Sequence, residues 1–208
     1  MIIIEDDFYP NPDEVREQAL SLFFRPGRRE RDTKFPGRRT LSTFSHQNFI
    51  YVRNRWETLL NAKMQYFPRT NSNTAFTLAF EEDADYNWVH HDFSGFLENT
   101  TKAFHGKAYA AVIYLNPDYN LRYGTGLFES TQTKNISKGD KKLKGNQPFK
   151  QMWEENGEFL LHTYVGNRYN RCIIYPADYW HAPFHAGYGY NKATGRLVQV
   201  GFFTVNKQ

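Results

Sequence analysis

The sequence predicts a mainly β fold of the α+β type, with a jelly-roll core and N-terminal helices packed outside the sheet. Phe, Tyr and Trp make up 17% of the 208 residues, and aromatic side chains favour pleated sheet. Two stretches with helical periodicity come first, and many short apolar runs separated by turns follow them. This order is typical of a sheet sandwich with helices outside it. The mouth of a jelly roll can bring residues that are distant in sequence together around a small ligand.

Two helices and a short strand are predicted in the N-terminal third. The first helix covers residues 12–23, because Asn11 suits the capping position, a proline follows it and acidic residues occupy the first turn. The second covers residues 47–62, where apolar side chains recur at helical spacing. Residues 2–4 are expected to form a short buried strand. Residues 25–39 are expected to be loop, because Pro-Gly and Gly-Arg-Arg interrupt them.

The rest of the chain has the pattern of strands and turns. Strands are predicted at residues 74–80, 108–115, from 124 onward, 171–175 and 196–203. Residues 130–167 are polar and mixed, so we expect an insertion there, in which residues 149–161 could form a helix. No repeat or linker divides the sequence, and its length suits one domain over residues 1–208.

Charge and cysteine content narrow the function classes. Lys plus Arg outnumber Asp plus Glu by 26 to 22, and one basic cluster lies at residues 138–144. That cluster lacks interleaved aromatic residues, which favours a solvated loop over a nucleic-acid site. The single cysteine, Cys172, excludes an intramolecular disulfide, and its apolar neighbours favour a buried, inert thiol. No signal peptide and no apolar run of about 20 residues is present, so we expect a cytoplasmic protein.

The most informative stretch is Trp88-Val89-His90-His91-Asp92-Phe93. Alternate side chains of a strand share a face, so His90 and Asp92 should point the same way and His91 the opposite way. Two histidines and one carboxylate, with the remaining positions open, form the ligand set of non-haem Fe(II) oxygenases. One further histidine would complete such a site.

His181 is the best candidate for that histidine. It follows a predicted strand and a tight turn, among apolar residues that would exclude water. His185 is the alternative, and the intervening Pro183 argues against a helical pair of ligands. Taken alone, each histidine would more often be a hydrogen-bonded structural residue. The remaining histidines are not flanked by a strand end and apolar residues in this way: His46, His105 and His162.

With Arg196 included, the order of these residues resembles the Fe(II)/2-oxoglutarate-dependent dioxygenases, and most closely their prolyl-hydroxylase-like branch. The following segments are also similar to that family: Asp7-Phe8-Tyr9-Pro10-Asn11-Pro12, Ala111-Val112-Ile113-Tyr114-Leu115-Asn116-Pro117, Gly124-Thr125-Gly126-Leu127, Pro176-Ala177-Asp178-Tyr179-Trp180-His181 and Gly195-Arg196-Leu197. The resemblance covers most of the chain outside residues 130–167.

The resemblance implies a double-stranded β-helix, or cupin-like, core and an enzyme that uses Fe(II), 2-oxoglutarate and O2. It assigns Fe(II) to His90, Asp92 and His181. It assigns the distal carboxylate of 2-oxoglutarate to Arg196, which can bind it bidentately, with a further hydrogen bond from Tyr114. The products would be succinate, CO2 and an oxidised substrate.

Two positions bear on the reaction type. Family halogenases lack the carboxylate that Asp92 supplies, so its presence favours hydroxylation or a related oxidation. Val198 stands where some branches of the family place Ser or Thr beside the arginine, so that additional contact is not expected here.

The residues leave two alternative functions open. One is a jelly-roll metalloenzyme that uses the same triad without 2-oxoglutarate, such as a cupin-like dioxygenase or isomerase. The other is a catalytically silent module that binds a polyanion through residues 138–144. The substrate is expected to be a small molecule or a peptide, with no membrane partner and nucleic acid disfavoured, and the sequence identifies neither the substrate nor the oligomeric state.

Overall fold

A computed structural model of the chain describes residues 1–25, 37–40, 46–66, 73–84, 88–92, 106–131, 134, 136, 147–148 and 159–206. The helices of this part are α1 (Pro12–Ser21) and α2 (His46–Leu60), with a 3-10 turn at Glu81–Asp83. The strands are β1 (Ile3–Glu5), β2 (Phe24–Arg25), β3 (Arg38–Thr40), β4 (Met64–Tyr66), β5 (Phe76–Ala79), β6 (Trp88–Val89), β7 (Lys107–Tyr114), β8 (Thr125–Ser130), β9 (Gln147–Pro148), β10 (Phe159–Val165), β11 (Cys172–Pro176), β12 (Trp180–Pro183) and β13 (Arg196–Val205).

These strands form antiparallel sheets. The larger sheet has the order β1-β11-β7-β13-β5-β3-β2, and β4 also pairs with β13. The smaller sheet has the order β10-β8-β12, and a bridge between His90 and His181 joins the short pair β6-β9 to β12. Neighbouring strands are far apart in sequence, as in a jelly roll. The predicted mainly β fold with a jelly-roll core is therefore confirmed.

The outer face of the larger sheet carries the helices. Trp56 of α2 stacks on Phe203 of β13 with ring centroids 5.0 Å apart, and its Nε1 donates to Cys172 Sγ at 3.3 Å. A Cβ at Gly201 would lie 2.1 Å from Cη2 of Trp56, so the close approach of α2 requires glycine there. Burial raises the pKa of Cys172 to about 12, which agrees with the expected inert thiol.

The inner face of the larger sheet packs against the smaller sheet. Side chains of β13 alternate, so Leu197 and Phe203 face the helices while Val198 belongs to the second apolar cluster. That cluster also contains Tyr114 of β7 and Leu127 of β8, one from each sheet. The space between the two sheets is therefore where the ends of distant strands meet.

Several elements differ from the sequence prediction. Helix α1 ends at Ser21 rather than residue 23, and the Asn11 side chain makes no capping hydrogen bond. The first strand, predicted to be buried, lies at the sheet edge because β11 is its only partner in the described sheet, and Ile4 is 50% exposed. Residues 38 and 39, expected to be loop, belong to β3, which pairs with β5.

The predicted insertion also contributes to the core. Residues 159–161, expected at the end of a helix, instead begin β10, which pairs with β8 from Phe159 to Val165. The short apolar run at residues 159–161 is compatible with either a helix or a strand. Its pairing with β8 makes it a strand. Residues 149–158 and the basic residues 138–144 lie outside the described part. Within that part, no helix is both long enough and apolar enough to cross a membrane.

A partly exposed cluster of ion pairs joins the end of β1 to the start of β11, and we predict its contribution to stability. Asp6 accepts hydrogen bonds from Arg171 Nε at 2.6 Å and Nη2 at 3.0 Å, and from Arg168 Nη1 at 2.7 Å. The Arg171 hydrogen bonds hold the pKa of Asp6 below its usual value, although burial opposes them. Asp6→Asn should lower the free energy of unfolding at pH 7 by about 1 kcal/mol.

The pH dependence of this loss follows from the lowered pKa. Stability from Asp6 is complete above the carboxyl's unfolded pKa of about 4 and is lost as pH falls through the lower folded value. Urea unfolding at several pH values should therefore show Asp6→Asn and the unsubstituted protein converging below about pH 4. Asp7→Asn, at an exposed neighbour, is the control. An equal loss in both variants would contradict the role of the ion pair.

Candidate metal centre

The centre is assembled where β6 ends beside β12. His90 and His181 exchange both backbone hydrogen bonds, with His90 N donating to His181 O at 2.9 Å and His181 N donating to His90 O at 2.8 Å. Asp92 N donates to Ala177 O at 2.8 Å, just before β12. These three bonds fix the two segments against each other, so their side chains converge although they are distant in sequence.

The three side chains of His90, Asp92 and His181 form a compact donor set. Asp92 Oδ2 lies 3.3 Å from His181 Nε2, and Asp92 Oδ1 lies 3.9 Å from His90 Nε2. One ligand atom from each residue lies within 4.8 Å of the other two. Two imidazoles and one carboxylate are the donors of the facial Fe(II) site, so the residues present fit that metal.

The hydrogen bonds of His181 orient its ring for this purpose. Its Nδ1 donates to Tyr179 O at 3.0 Å, since a carbonyl only accepts. The opposite nitrogen, Nε2, therefore faces Asp92. A backbone carbonyl that fixes the tautomer in this way is the usual outer partner of a metal-binding histidine.

The electrostatics of the centre keep the carboxylate ionised. Burial raises the pKa of Asp92, but the charges of His181, His90 and Arg39, together with the His181 hydrogen bond, hold it below its usual value. Burial lowers the pKa of His181, but the Asp92 charge and hydrogen bond outweigh burial and raise it. Each group thus favours the charged form of the other.

The remaining histidines lie elsewhere. The ring of His91 packs 4.8 Å from that of Trp180, outside the donor set, and exposed His185 lies 4.8 Å from the ring of Tyr123. His162 is exposed on β10. His46 begins α2, and His105 lies outside the described residues.

Arg196 and Tyr114 lie together at the start of β13 and the end of β7. Arg196 is 5% exposed, and its guanidinium lies 5.9 Å from the centroid of the Tyr114 ring. Tyr114 Oη and Thr125 Oγ1 share a hydrogen bond of 2.6 Å. Burial raises the pKa of Tyr114 to about 12, so its hydroxyl stays protonated. Arg196 Nε is buried and has no hydrogen-bond partner within the described part of the chain.

The triad and Arg196 line one cavity between the two sheets. Its floor is the inner face of the larger sheet and is mostly apolar: Ala110, Val112, Val198, Val200 and Phe202. Thr125 lines the opposite side and was not among the predicted site residues. Its place in the Gly-Thr-Gly turn was visible in the sequence, but a hydroxyl in a turn is too common to indicate a site.

Arg39 is the second site residue that sequence reasoning missed. It lies on β3 and lines the same cavity, and its Nε donates to Thr77 Oγ1 at 3.1 Å. Burial lowers the pKa of Arg39 to about 10, against the opposing effect of Asp92, so the side chain is still a cation at neutral pH. Three polar residues give β3 no strand pattern, and only its pairing with β5 brings Arg39 to the cavity.

Comparisons with known proteins agree with this architecture at the level of fold. No protein-family model matches the sequence, and no curated protein matches it. Solved structures do match. A prolyl hydroxylase from Trichoplax adhaerens, in complex with a hypoxia inducible factor oxygen degradation domain peptide fragment, is 13% identical with a TM-score of 0.52. That match covers 99% of this chain and 83% of the other.

A second solved structure is the non-heme alpha ketoglutarate dependent epimerase SnoN from nogalamycin biosynthesis. It is 13% identical with a TM-score of 0.54, and the match covers 97% of this chain and 76% of the other. Identities this low establish a shared fold rather than a shared reaction. The chain therefore shares its fold with a prolyl hydroxylase and with a non-heme alpha ketoglutarate dependent epimerase.

Proposed function

We propose that residues 1–208 form a single-domain Fe(II)- and 2-oxoglutarate-dependent oxygenase of the hydroxylase type. It would oxidise a C–H bond of a small molecule or peptide while 2-oxoglutarate is converted to succinate and CO2. The observation that carries this proposal is the convergence of His90, Asp92 and His181 on the cavity that Arg196 also lines. A metal triad alone would suit several reactions, whereas a buried guanidinium beside it suits a carboxylate co-substrate.

His90, Asp92 and His181 would hold Fe(II). Bound there, Fe(II) would supply the open positions at which the 2-oxo acid and O2 react. The residues themselves contribute charge and orientation. Asp92 stays ionised because its neighbours lower its pKa. The Tyr179 carbonyl keeps Nε2 of His181 directed toward Asp92.

Arg196 would bind the distal carboxylate of 2-oxoglutarate. Its buried Nε lacks a hydrogen-bond partner among the described residues, and a buried polar group of this kind is costly unless something satisfies it. A carboxylate would satisfy it and match its charge. The hydroxyl groups of Tyr114 and Thr125 lie beside it and could donate to the same carboxylate.

The proposal is tested by incubating the purified protein with Fe(II), 2-oxoglutarate and O2 and measuring succinate. We expect slow succinate formation even without a substrate, and its loss when Fe(II) or O2 is withheld. Asp92→Ala is the matched inactive variant. The proposal fails if the protein binds neither the metal nor 2-oxoglutarate, or if succinate forms equally in Asp92→Ala.

The Tyr114 hydroxyl should make a smaller contribution than Arg196. Tyr114→Phe removes one neutral hydrogen-bonding group and leaves the guanidinium in place, so we expect 2-oxoglutarate affinity to fall about fivefold, or about 1 kcal/mol. Calorimetric titration under anaerobic conditions measures this change. Metal affinity should stay within about twofold of that of the unsubstituted protein. An unchanged 2-oxoglutarate affinity would remove Tyr114 from the proposed site.

A further inference from the structure

We infer that the hydroxyl of Tyr175 donates a hydrogen bond to the 2-oxo acid end of bound 2-oxoglutarate and so positions that end at the metal. The inference rests on the proposed function, because it takes the triad to hold Fe(II) and Arg196 to hold the distal carboxylate. It goes further by giving the opposite end of the co-substrate a protein partner besides the metal.

Strand pairing places Tyr175 on the inner face of the larger sheet. Tyr175 pairs with Ala110 on β7, and Ala110 pairs with Phe202 on β13. Residues paired in this way share a face, and all three side chains line the cavity. Tyr175 is only 2% exposed, so its side chain contacts the cavity and not the outer surface.

The surroundings of Tyr175 place it toward the triad end of the cavity. Its ring lies 4.8 Å from the ring of His181, centroid to centroid. Burial raises the pKa of Tyr175, Asp92 raises it further, and Arg196 lowers it with a smaller effect. The hydroxyl therefore interacts with the charges at both ends of the cavity, and with that of Asp92 more strongly. Because 2-oxoglutarate would extend from the triad to Arg196, the hydroxyl lies beside its path, on the side of the metal.

The chemistry of the Tyr175 hydroxyl suits a 2-oxo acid. A phenol has an ordinary pKa of about 10 and is protonated at neutral pH, and the negative charge of Asp92 favours that neutral form. The hydroxyl therefore has a proton to donate, whereas the carboxylate and keto oxygens of a 2-oxo acid only accept. It makes no hydrogen bond within the part of the chain that the structure describes, and a buried hydroxyl is costly until a partner satisfies it.

The other tyrosine of the proposed site serves the opposite end of the cavity. The hydroxyl of Tyr114 shares a hydrogen bond of 2.6 Å with Thr125 Oγ1, and the centroid of its ring lies 5.9 Å from the Arg196 guanidinium. Both contacts belong to the end where the distal carboxylate would bind. Tyr114 and Tyr175 are members of the same apolar cluster, and they would contact opposite ends of one ligand.

An alternative role for Tyr175 is to support His181 by packing alone. A phenylalanine ring could fill the same space beside the imidazole. If packing were the whole role, Tyr175→Phe would leave 2-oxoglutarate binding unchanged, because only the hydroxyl is lost. If the substitution disturbed His181 itself, it would weaken Fe(II) binding in the absence of 2-oxoglutarate.

The experiment uses the full chain under anaerobic conditions and compares Tyr175→Phe with the matched control Tyr109→Phe. Tyr109 is also buried and pairs with Pro176, next to Tyr175, but it faces the helices and stacks on Phe203. Fe(II) affinity is measured first by calorimetric titration. 2-Oxoglutarate is then added, and its chelation of Fe(II) through keto and carboxylate oxygens is followed by the visible metal-to-ligand charge-transfer absorption.

In Tyr175→Phe we expect the affinity for 2-oxoglutarate to fall about fivefold and the absorption at saturation to move to higher energy. A hydrogen bond stabilises the orbital of the 2-oxo acid that accepts the electron, so its loss raises the energy of the transition. Fe(II) affinity should be unchanged. Tyr109→Phe should match the unsubstituted protein in every measurement.

The inference is wrong if the absorption of Tyr175→Phe does not move to higher energy, even where the affinity falls, because the hydroxyl would then serve the distal carboxylate. It is also wrong if Tyr175→Phe loses Fe(II), or if Tyr109→Phe shows the same shift. An unsubstituted protein that binds no Fe(II), or that binds it without developing the absorption, contradicts the proposed function itself.

Discussion

Replacing His181 with alanine should abolish Fe(II) binding and, with it, the formation of succinate from 2-oxoglutarate. His181 supplies one of the two imidazoles of the donor set, and its Nε2 lies 3.3 Å from Asp92 Oδ2. Altering an outer partner of a metal ligand already costs about 10- to 100-fold in affinity. Loss of the ligand itself should therefore cost at least about 100-fold, as measured by anaerobic calorimetric titration with Fe(II).

His91→Ala and His185→Ala are the matched controls for this prediction. His91 is next to a proposed ligand in sequence but packs against Trp180, and His185 is exposed beside Tyr123. Both variants should bind Fe(II) as the unsubstituted protein does, provided that circular dichroism shows them folded. If folded His91→Ala or His185→Ala lost the metal while His181→Ala kept it, the assignment of the distal ligand would be wrong.

Replacing Arg196 with glutamine should remove most of the affinity for 2-oxoglutarate and leave the metal in place. Truncating one partner of a buried, hydrogen-bonded charge pair costs about 2–5 kcal/mol, or roughly 30- to 4,000-fold in affinity. Glutamine keeps hydrogen-bonding capacity but loses the charge and the planar fork that meets a carboxylate bidentately. Titration of 2-oxoglutarate into the Mn(II)-loaded protein measures the change.

The affinities of Arg196→Gln for Mn(II) and for 2-oxoglutarate together distinguish two candidate functions. An oxygenase that uses 2-oxoglutarate should lose co-substrate affinity in Arg196→Gln and keep Mn(II) affinity. A jelly-roll metalloenzyme that uses the triad without 2-oxoglutarate should be indifferent to Arg196 in both measurements. Arg168→Gln, at a surface position where the arginine pairs with Asp6, controls for the removal of a charge. Indifference of both arginine variants would support the second function.

The fold class could be predicted because its signals are local. Apolar spacing in α1 and α2, and the continuous apolar run of β7, depend on residues close together in the chain, and these elements lie within a few residues of their predicted bounds. Strand β3 has no such signal. Its three residues, Arg38 to Thr40, are polar, and only β2 and β5 on either side make it a strand. The same pairing is what places Arg39 in the cavity.

Part of the candidate metal centre could also be inferred from the sequence, because part of its signal is local. Strand alternation separates His90 from His91 within the sequence itself, and the structure places His91 against Trp180 instead of in the donor set. The convergence of His181 on His90 depends on the bridge between β6 and β12, which no local pattern encodes. In the sequence, a strand end and apolar neighbours made His181 the best candidate, with His185 as the alternative. Thr125 and Arg39, to which the resemblance assigns no role, were found only in three dimensions.

The central claim is that the triad holds a divalent metal on which the binding of 2-oxoglutarate depends. The most direct test is the affinity of the unsubstituted protein for 2-oxoglutarate, measured anaerobically with and without Fe(II). If the co-substrate binds to both the metal and Arg196, Fe(II) must raise its affinity, and 2-oxoglutarate must raise the affinity for Fe(II) by the same factor. We predict one Fe(II) per chain and at least about tenfold coupling in both directions. Binding of 2-oxoglutarate that is equally tight without metal, or absent with it, would contradict the claim.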